Sequence, residues 1–177
     1  LLGRRSRSVF ASKPLEIETL RAYLRLLTPR GAGLPRIGRL VPLLFVHRVQ
    51  GLEPGLYAWI DPETPVQEVR EGLRQDLEWR PVDLPRDSQE EEATFYRLSS
   101  GDASRAMSFL AGHQNAGGDG AFTVLWLGRR NEPVSADPFA YRALHWRAAE
   151  AAHRFYLETE ARGLGGTAQA GVIDDRH

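Results

Sequence analysis

The pattern of apolar and polar positions along the chain predicts helices and strands in mixed order. Between residues 13 and 27, apolar side chains recur at intervals of three and four, which is the spacing of one helix face. The same pattern predicts shorter helices over residues 64–77 and 102–114, with Asp102 placed to cap the second. Apolar runs bounded by Gly, Pro and polar residues predict strands over residues 40–49, 56–60, 94–100, 122–128 and 168–173.

Turn residues separate these elements. The sequence QGLEPG predicts a hairpin turn between the first two strands, and NAGGDGA predicts a glycine-rich turn before residue 122. The segment 80–93 contains two prolines and three consecutive glutamates, so we expect a solvated loop there.

The longest predicted element comes near the end of the sequence. From Pro138 to Arg162 there is no interior Pro or Gly, and alanine is frequent, which favours a helix. Its apolar residues are spread widely around the helix, so we expect it to be buried on more than one side, in the core or in a dimer interface. The mixture of hairpins and helices predicts the α+β class, with helices flanking a central sheet.

Length and composition narrow the protein class. The chain has 177 residues, enough for a single domain over 1–177, and we expect it to be a fragment or an excised half of a larger assembly. The 23 basic residues balance 23 acidic ones, so a nucleic-acid binder is not indicated. Cysteine is absent, and no apolar run is long enough to span a membrane or act as a signal peptide. We therefore expect a cytoplasmic protein without disulfides.

The familiar catalytic and ligand-binding motifs are missing. His145 and His153 lie eight residues apart on the predicted last helix, too far along the axis to share a metal ion. No histidine spacing fits a metal site, so we expect no metal and interpret the histidines as structural side chains with satisfied hydrogen bonds. The sequence contains neither a GxSxG nucleophile motif nor a glycine-rich phosphate loop of the known types.

The remaining candidate is the arginine-rich sequence GRRSRSVF, residues 3–10. Guanidinium and hydroxyl groups grouped in one short segment can bind a phosphate through charge-assisted hydrogen bonds. A basic chain end is also commonly a solvated tail. The segment alone leaves both interpretations open.

This opening and several later segments together resemble the nitroreductase-like FMN flavoproteins. Their usual opening is Arg-Arg-Ser-x-Arg-x-Phe followed by a helix, and here RRSRSVF precedes LEIETLRAYLRLL. Three further segments are similar to the branch called SagB-type dehydrogenases: LFVHRVQGLEPGLYAW, GHQNAGGDGAFTVLWLG and AYRALHWRAAEAAHRFYLETEARGLGGTAQAGVIDD. They occur in the expected order across nearly the whole chain.

The resemblance implies a nitroreductase-like α+β fold with a central antiparallel sheet, and FMN bound between two copies or between tandem halves. It implies that Arg4, Arg5 and Ser6 hold the phosphate, ribityl chain or pyrimidine edge of the flavin. Gly165, Gly166 and Thr167 would offer backbone or hydroxyl contacts near the ring. The implied activity is hydride transfer between flavin and NAD(P)H, a small molecule or a peptide-borne heterocycle.

The sequence also departs from the pattern of these flavoproteins. Ser8 stands where the last arginine of the opening is expected, and it is retained here as a cofactor-binding candidate. The Lys-Tyr pair of azoline-oxidising members is replaced by Ser135 and Ala136, so no catalytic residue is assigned. These departures favour an alternative, in which the chain is a degenerate half-domain that binds no flavin and acts as a structural partner in a peptide-modifying complex.

Overall fold

Five strands form one antiparallel sheet in the computed structural model of the chain, which describes residues 5–27, 40–84, 93–128 and 137–169. Their order across the sheet is β3-β4-β2-β1-β5. The strands are β1 (Leu40–Val46), β2 (Gly55–Ile60), β3 (Arg80–Pro81), β4 (Thr94–Ser100) and β5 (Phe122–Gly128). The β1–β2 hairpin is the one predicted from QGLEPG, with Val46 paired to Gly55 next to the turn.

Helices lie on both faces of the sheet. They are α1 (Ile17–Leu27), α2 (Val66–Glu71), α3 (Ser104–Leu110), α4 (Ala116–Asp119) and α5 (Pro138–Ala161). Side chains of α1 and α5 join the core on one face, and side chains of α2 and α3 pack on the other. The arrangement confirms the predicted α+β class with a central antiparallel sheet and a long last helix.

Strand β1 shows why the sheet needs cover on both sides. Leu44 and Val46 point into the core beneath α1, whereas Val41 and Leu43 point into the core beneath α2. A strand covered on both faces carries a continuous apolar run instead of alternating polar residues, as LVPLLFV does.

Several element boundaries differ from those predicted. Helix α1 begins at Ile17, because the preceding Leu15 pairs with Val49 in a short parallel bridge. The predicted helix 102–114 is shorter than expected, with α3 covering Ser104–Leu110, and α4 lies within the predicted glycine-rich turn of residues 115–121. The N-cap of α3 is Ala103, not the predicted Asp102, but the Asp102 carboxylate accepts from the Ser104 amide, the first of the helix, at 2.9 Å. In the predicted last strand, residues 168 and 169 are not in a strand, and 170–173 lie outside the described residues.

Helix α5 is confirmed in extent but is only partly buried in the single chain. Asp137 caps its N-terminus by accepting from the Phe139 amide, and Pro138 occupies the first turn. Four of its 24 residues are buried: Ala140, Ala143, Leu144 and Thr159. Three aromatic side chains on the helix are 40–54 % exposed, namely Phe139, Tyr141 and Trp146. The burial predicted on more than one side is therefore not reached within this chain.

The segment predicted as a loop over 80–93 contains an unpredicted strand at its start. Arg80 pairs with Arg97 of β4, and the Glu78 amide donates to the Leu98 carbonyl, so Trp79 is one extra residue opposite β4. This is a β-bulge, and Trp79 adopts a positive φ of 51° within it. Burial of its indole side chain against the core compensates for the unusual backbone conformation. Residues 85–92 lie outside the described residues.

Candidate functional site

Segments from opposite ends of the sequence lie side by side in the fold. We call residues 5–11 the N-terminal segment and residues 163–169 the C-terminal segment. The Arg7 amide donates to the Gly166 carbonyl oxygen at 3.2 Å. The Arg7 side chain passes over Gly165, where a β-carbon would lie only 2.8 Å from Arg7 Cγ. The fold therefore brings together two groups of candidate residues that the sequence separates by about 160 positions.

The end of α5 directs the C-terminal segment toward the N-terminal one. Gly163 has a φ of 65°, the left-handed conformation that ends many helices. Its amide donates to the Glu160 carbonyl, and the Leu164 amide donates to the Thr159 carbonyl. These two bonds form a Schellman motif, which satisfies the last carbonyls of the helix and reverses the chain. Gly165 and Gly166 follow immediately at the turn.

The C-terminal segment packs on Thr159, whose side chain takes part in a buried hydrogen bond with Tyr23. The Thr159 side chain contacts Gly166, where a β-carbon would lie 3.4 Å from the threonine methyl group. The hydroxyl groups of Tyr23 and Thr159 are hydrogen-bonded at 2.9 Å, and the Thr159 hydroxyl also donates to the Phe155 carbonyl. The Tyr23 ring packs against Phe122 and Phe155. Burial raises the pKa of Tyr23, so its hydroxyl remains protonated at neutral pH.

The N-terminal segment is attached to the end of β1. The Leu15 amide donates to the Arg48 carbonyl, and the Gln50 amide donates to the Leu15 carbonyl. The Arg48 guanidinium donates to the Ala11 carbonyl at 3.1 Å and to the Asp119 carbonyl at the end of α4. The N-terminal segment is thus held at Arg7 and at Ala11, and the chain that follows it is held at Leu15.

The side chains at this junction suit a negatively charged ligand. Arg5, Ser6, Arg7 and Ser8 are all exposed, whereas Gly166 and Thr167 are half-buried. Guanidinium groups, hydroxyls and backbone amides close to one another can donate several charge-assisted hydrogen bonds to a phosphate or carboxylate. We call Arg5–Ser8 together with Gly165–Thr167 the chain-end site. Of the residues predicted from sequence, Arg4 lies outside the described residues.

Three residues of this region were not predicted. Arg48 joins the N-terminal segment to the fold, and Tyr23 with Thr159 supports Gly166. A charged residue near the end of the apolar run 40–49 was the available signal for Arg48. The Tyr23–Thr159 bond had no local signal, because its partners are 136 positions apart.

His47 lies at the end of β1 and contradicts the prediction of satisfied histidines. The side chain is buried, and neither ring nitrogen has a hydrogen-bond partner among the described residues. Burial lowers the pKa of His47, while the Gly117 carbonyl and the Asp102 carboxylate act in the opposite direction and Arg48 adds to the lowering. The Gly117 carbonyl is close enough to favour protonation, but its geometry falls short of a hydrogen bond.

The described ranges contain neither a metal-ligand cluster nor a membrane-spanning helix. Within residues 5–27, 40–84, 93–128 and 137–169, no three His, Asp or Glu side chains come together in a group that could hold a metal ion. None of the helices in these ranges is both long and apolar enough to cross a membrane.

Comparison with solved structures identifies the fold as nitroreductase-like. The chain is similar to the crystal structure of a "putative nitroreductase" from Anabaena variabilis, with a TM-score of 0.65 and 21 % sequence identity. The match covers 98 % of this chain and 32 % of that one, so the present chain spans about a third of its length. No model of a known protein family and no curated protein matches the chain.

Proposed function

We propose that this chain is an FMN-dependent oxidoreductase domain that binds the flavin at the chain-end site. The observation that carries the proposal is the pairing of Arg7 with Gly166, which joins two donor-rich segments within a nitroreductase-like fold. The exposed donors of Arg5, Ser6 and Ser8 fit an anionic ligand. The resemblance in sequence and the similarity in fold agree on the same class of protein.

The chain's own residues would act on the cofactor by binding and orientation. When bound, FMN supplies the hydride-transfer chemistry. Arg5 and Ser6 would hold its phosphate, ribityl chain or pyrimidine edge, and an arginine at the pyrimidine edge raises the reduction potential of the flavin. Gly165, Gly166 and Thr167 would contact the flavin through backbone groups and the threonine hydroxyl. The hydride would be exchanged with NAD(P)H or with a small or peptide-borne substrate, such as a heterocycle in a modified peptide.

Flavin binding tests this proposal directly. The purified chain, given FMN, is expected to turn yellow and to quench the flavin fluorescence in a saturable titration. Arg5→Ala should weaken FMN binding by about 10- to 100-fold, because it removes charge-assisted hydrogen bonds. Riboflavin, which lacks the phosphate, locates the contact: an effect on FMN alone assigns Arg5 to the phosphate, and an effect on both assigns it to the ribityl chain or the ring.

The control for this titration is Arg74→Ala. Arg74 is 81 % exposed and pairs with Asp76 in a surface loop, so its loss should leave the FMN affinity unchanged. A chain that takes up no FMN would contradict the proposal and would favour the degenerate half-domain. Equal FMN affinities of Arg5→Ala and the wild type would show that the cofactor contact is placed wrongly.

We also propose that a second nitroreductase-like half packs against α5. The exposed aromatic side chains of Phe139, Tyr141 and Trp146 support this, since a surface patch of this kind commonly marks a protein interface. The longer chain of the similar structure is consistent with a tandem half. Light scattering should give twice the 19.8 kDa of one chain if the second half is an identical copy, and Trp146→Glu should then return it to 19.8 kDa.

A mass of 19.8 kDa for the wild type would argue against an identical copy and in favour of a tandem half. Gln75→Glu, a charge change at an exposed position in the loop after α2, is the matched control and should not alter the mass.

A further inference from the structure

Arg48 lies two residues after the end of β1 and is half-buried between two parts of the chain. Its Nη2 atom donates to the Ala11 carbonyl oxygen at 3.1 Å and also to the Asp119 carbonyl oxygen. Because the guanidinium group is planar and rigid, one terminal nitrogen can hold two carbonyls at fixed positions. Arg48 therefore connects the N-terminal segment to the end of α4.

The backbone that carries this guanidinium is itself fixed. The Arg48 amide donates to the Ala121 carbonyl at 2.9 Å, and the Arg48 carbonyl accepts from the Leu15 amide at 2.9 Å. The side chain thus extends from a point that is bonded on both sides. Because its backbone is fixed to the sheet, the Arg48 side chain holds the Ala11 and Asp119 carbonyls at fixed positions relative to the sheet.

Ala11 is the point where such a link has most effect on the chain-end site. It lies four residues from Arg7, which is bonded to Gly166, and four residues from Leu15, which is paired with Val49. The bond from Arg48 therefore fixes the middle of the stretch that carries Arg7 and Ser8. A stretch that is ordered in advance loses less conformational freedom when a ligand binds, so the ligand binds more tightly.

We infer that Arg48 is a positioning residue of the chain-end site. Through its bonds to Ala11 and Asp119 it orders the N-terminal segment before any ligand binds, so that Arg5, Ser6 and Ser8 are already held beside the C-terminal segment. The identity of the ligand rests on the function proposed above, with FMN as the probe. The ordering itself is a property of the ligand-free chain and is measured without FMN.

Hydrogen exchange and FMN titration together test the inference, using Arg48→Met, Arg48→Lys and the control Arg74→Met. In Arg48→Met, the hydrogen-bonded Arg7 amide within residues 5–11 should exchange faster in the ligand-free protein, while the amides of β1 and β2 keep their protection. The FMN affinity should fall by about tenfold. Arg48→Lys retains a charged donor and should restore part of both effects, whereas Arg74→Met should behave as the wild type.

The outcomes separate this inference from the proposed function. Unchanged exchange of residues 5–11 in Arg48→Met overturns the inference, and so does faster exchange with an unchanged FMN affinity. A wild-type chain that binds no FMN contradicts the proposed function. In that case the exchange data by themselves decide whether Arg48 orders the N-terminal segment. Protection of the β1 and β2 amides shows whether Arg48→Met is folded. If that protection is lost, Arg48→Lys becomes the test variant in place of Arg48→Met.

Discussion

Two glycine pairs, Gly117–Gly118 and Gly165–Gly166, look alike in the sequence but occupy different surroundings. At Gly118, a β-carbon would lie well inside van der Waals contact with the Ser104 carbonyl oxygen, and at Gly117 it would lie 2.8 Å from the Met107 carbonyl oxygen. At Gly165, the nearest atom is Cγ of the exposed Arg7 side chain. The first pair lies against backbone atoms of α3, and the second lies against the side chains of Arg7 and Thr159.

This difference separates a packing role from a site role. Backbone atoms of α3 cannot move away without disturbing the helix, so Gly117 and Gly118 allow α4 to lie against α3. The Arg7 side chain has rotatable bonds and can move aside. Substitutions in the first pair should therefore lower stability, and substitutions in the second should act on the ligand.

The largest effect is expected for Gly118→Ala. The new methyl group would press against the backbone of Ser104, and we expect the free energy of unfolding to fall by about 3 kcal/mol. The better helix propensity of alanine, worth about 1 kcal/mol, does not offset such a clash. Urea denaturation followed by circular dichroism measures the change.

Gly72→Ala is the matched control for a packing glycine. Gly72 ends α2 with a φ of −82°, and its nearest neighbour is a carbonyl oxygen 3.6 Å from a β-carbon. Its substitution should change the free energy of unfolding by no more than about 0.5 kcal/mol. A similar small change in Gly118→Ala would show that α4 is not held tightly against α3.

The next effect concerns His47, whose ring lies near the Gly117 carbonyl. Burial lowers the pKa of His47 from its ordinary 6.5, so the unfolded chain takes up a proton that the folded chain does not. The contribution of neutral, buried His47 to the free energy of unfolding should be fully present above pH 6.5. The free energy of unfolding should decrease as the pH falls from 6.5 toward the lowered pKa of His47. One such proton changes it by at most about 1.4 kcal/mol per pH unit.

His47→Leu should remove this part of the pH dependence, measured by urea denaturation between about pH 5 and 8. The exposed His153 supplies the control, since His153→Leu should retain the wild-type slope. Parallel curves for the wild type and His47→Leu would contradict the assignment of the slope to His47.

A smaller effect is expected beneath the second pair, at Tyr23. Tyr23→Phe removes the hydrogen bond to Thr159 and should lower the free energy of unfolding by about 1 kcal/mol. The exposed Tyr141, changed to Phe, should lose no more than about 0.5 kcal/mol. If the two variants lose the same amount, the Tyr23–Thr159 bond does not stabilise the fold measurably.

The smallest change in stability is expected for Gly165→Ala, within about 0.5 kcal/mol, because Arg7 can rotate away from the new methyl group. Moving Arg7 should instead weaken FMN binding about fivefold, measured by fluorescence titration. Gly72→Ala is again the control. A loss of stability as large as that of Gly118→Ala would remove the distinction between the two glycine pairs.

The sequence predicted best those elements whose signals are local. The apolar run at 40–49 and the uninterrupted helical pattern from Pro138 onward each carry enough information in their own residues. The helix was confirmed, and the strand was confirmed over residues 40–46. Strand β3 was missed because it depends on the bulge at Trp79 and on pairing with β4. Helix α4 was missed because its four residues, AGGD, carry a turn signal when taken alone.

The candidate site was predicted through resemblance, not through local pattern. Arginines and glycines at the two chain ends carry no sign that Arg7 and Gly166 are bonded. Arg48 was missed for a related reason. Its two acceptors are 37 and 71 positions away, so its role exists only once the chain is folded.

The shortness of β3 has a consequence for how the domain avoids aggregation. Strand β3 forms one edge of the sheet, yet it is only two residues long, and one of them, Pro81, has no amide hydrogen to offer. The neighbouring bulge at Trp79 twists the edge further. Addition of a strand from another chain is therefore disfavoured at the β3 edge of the sheet.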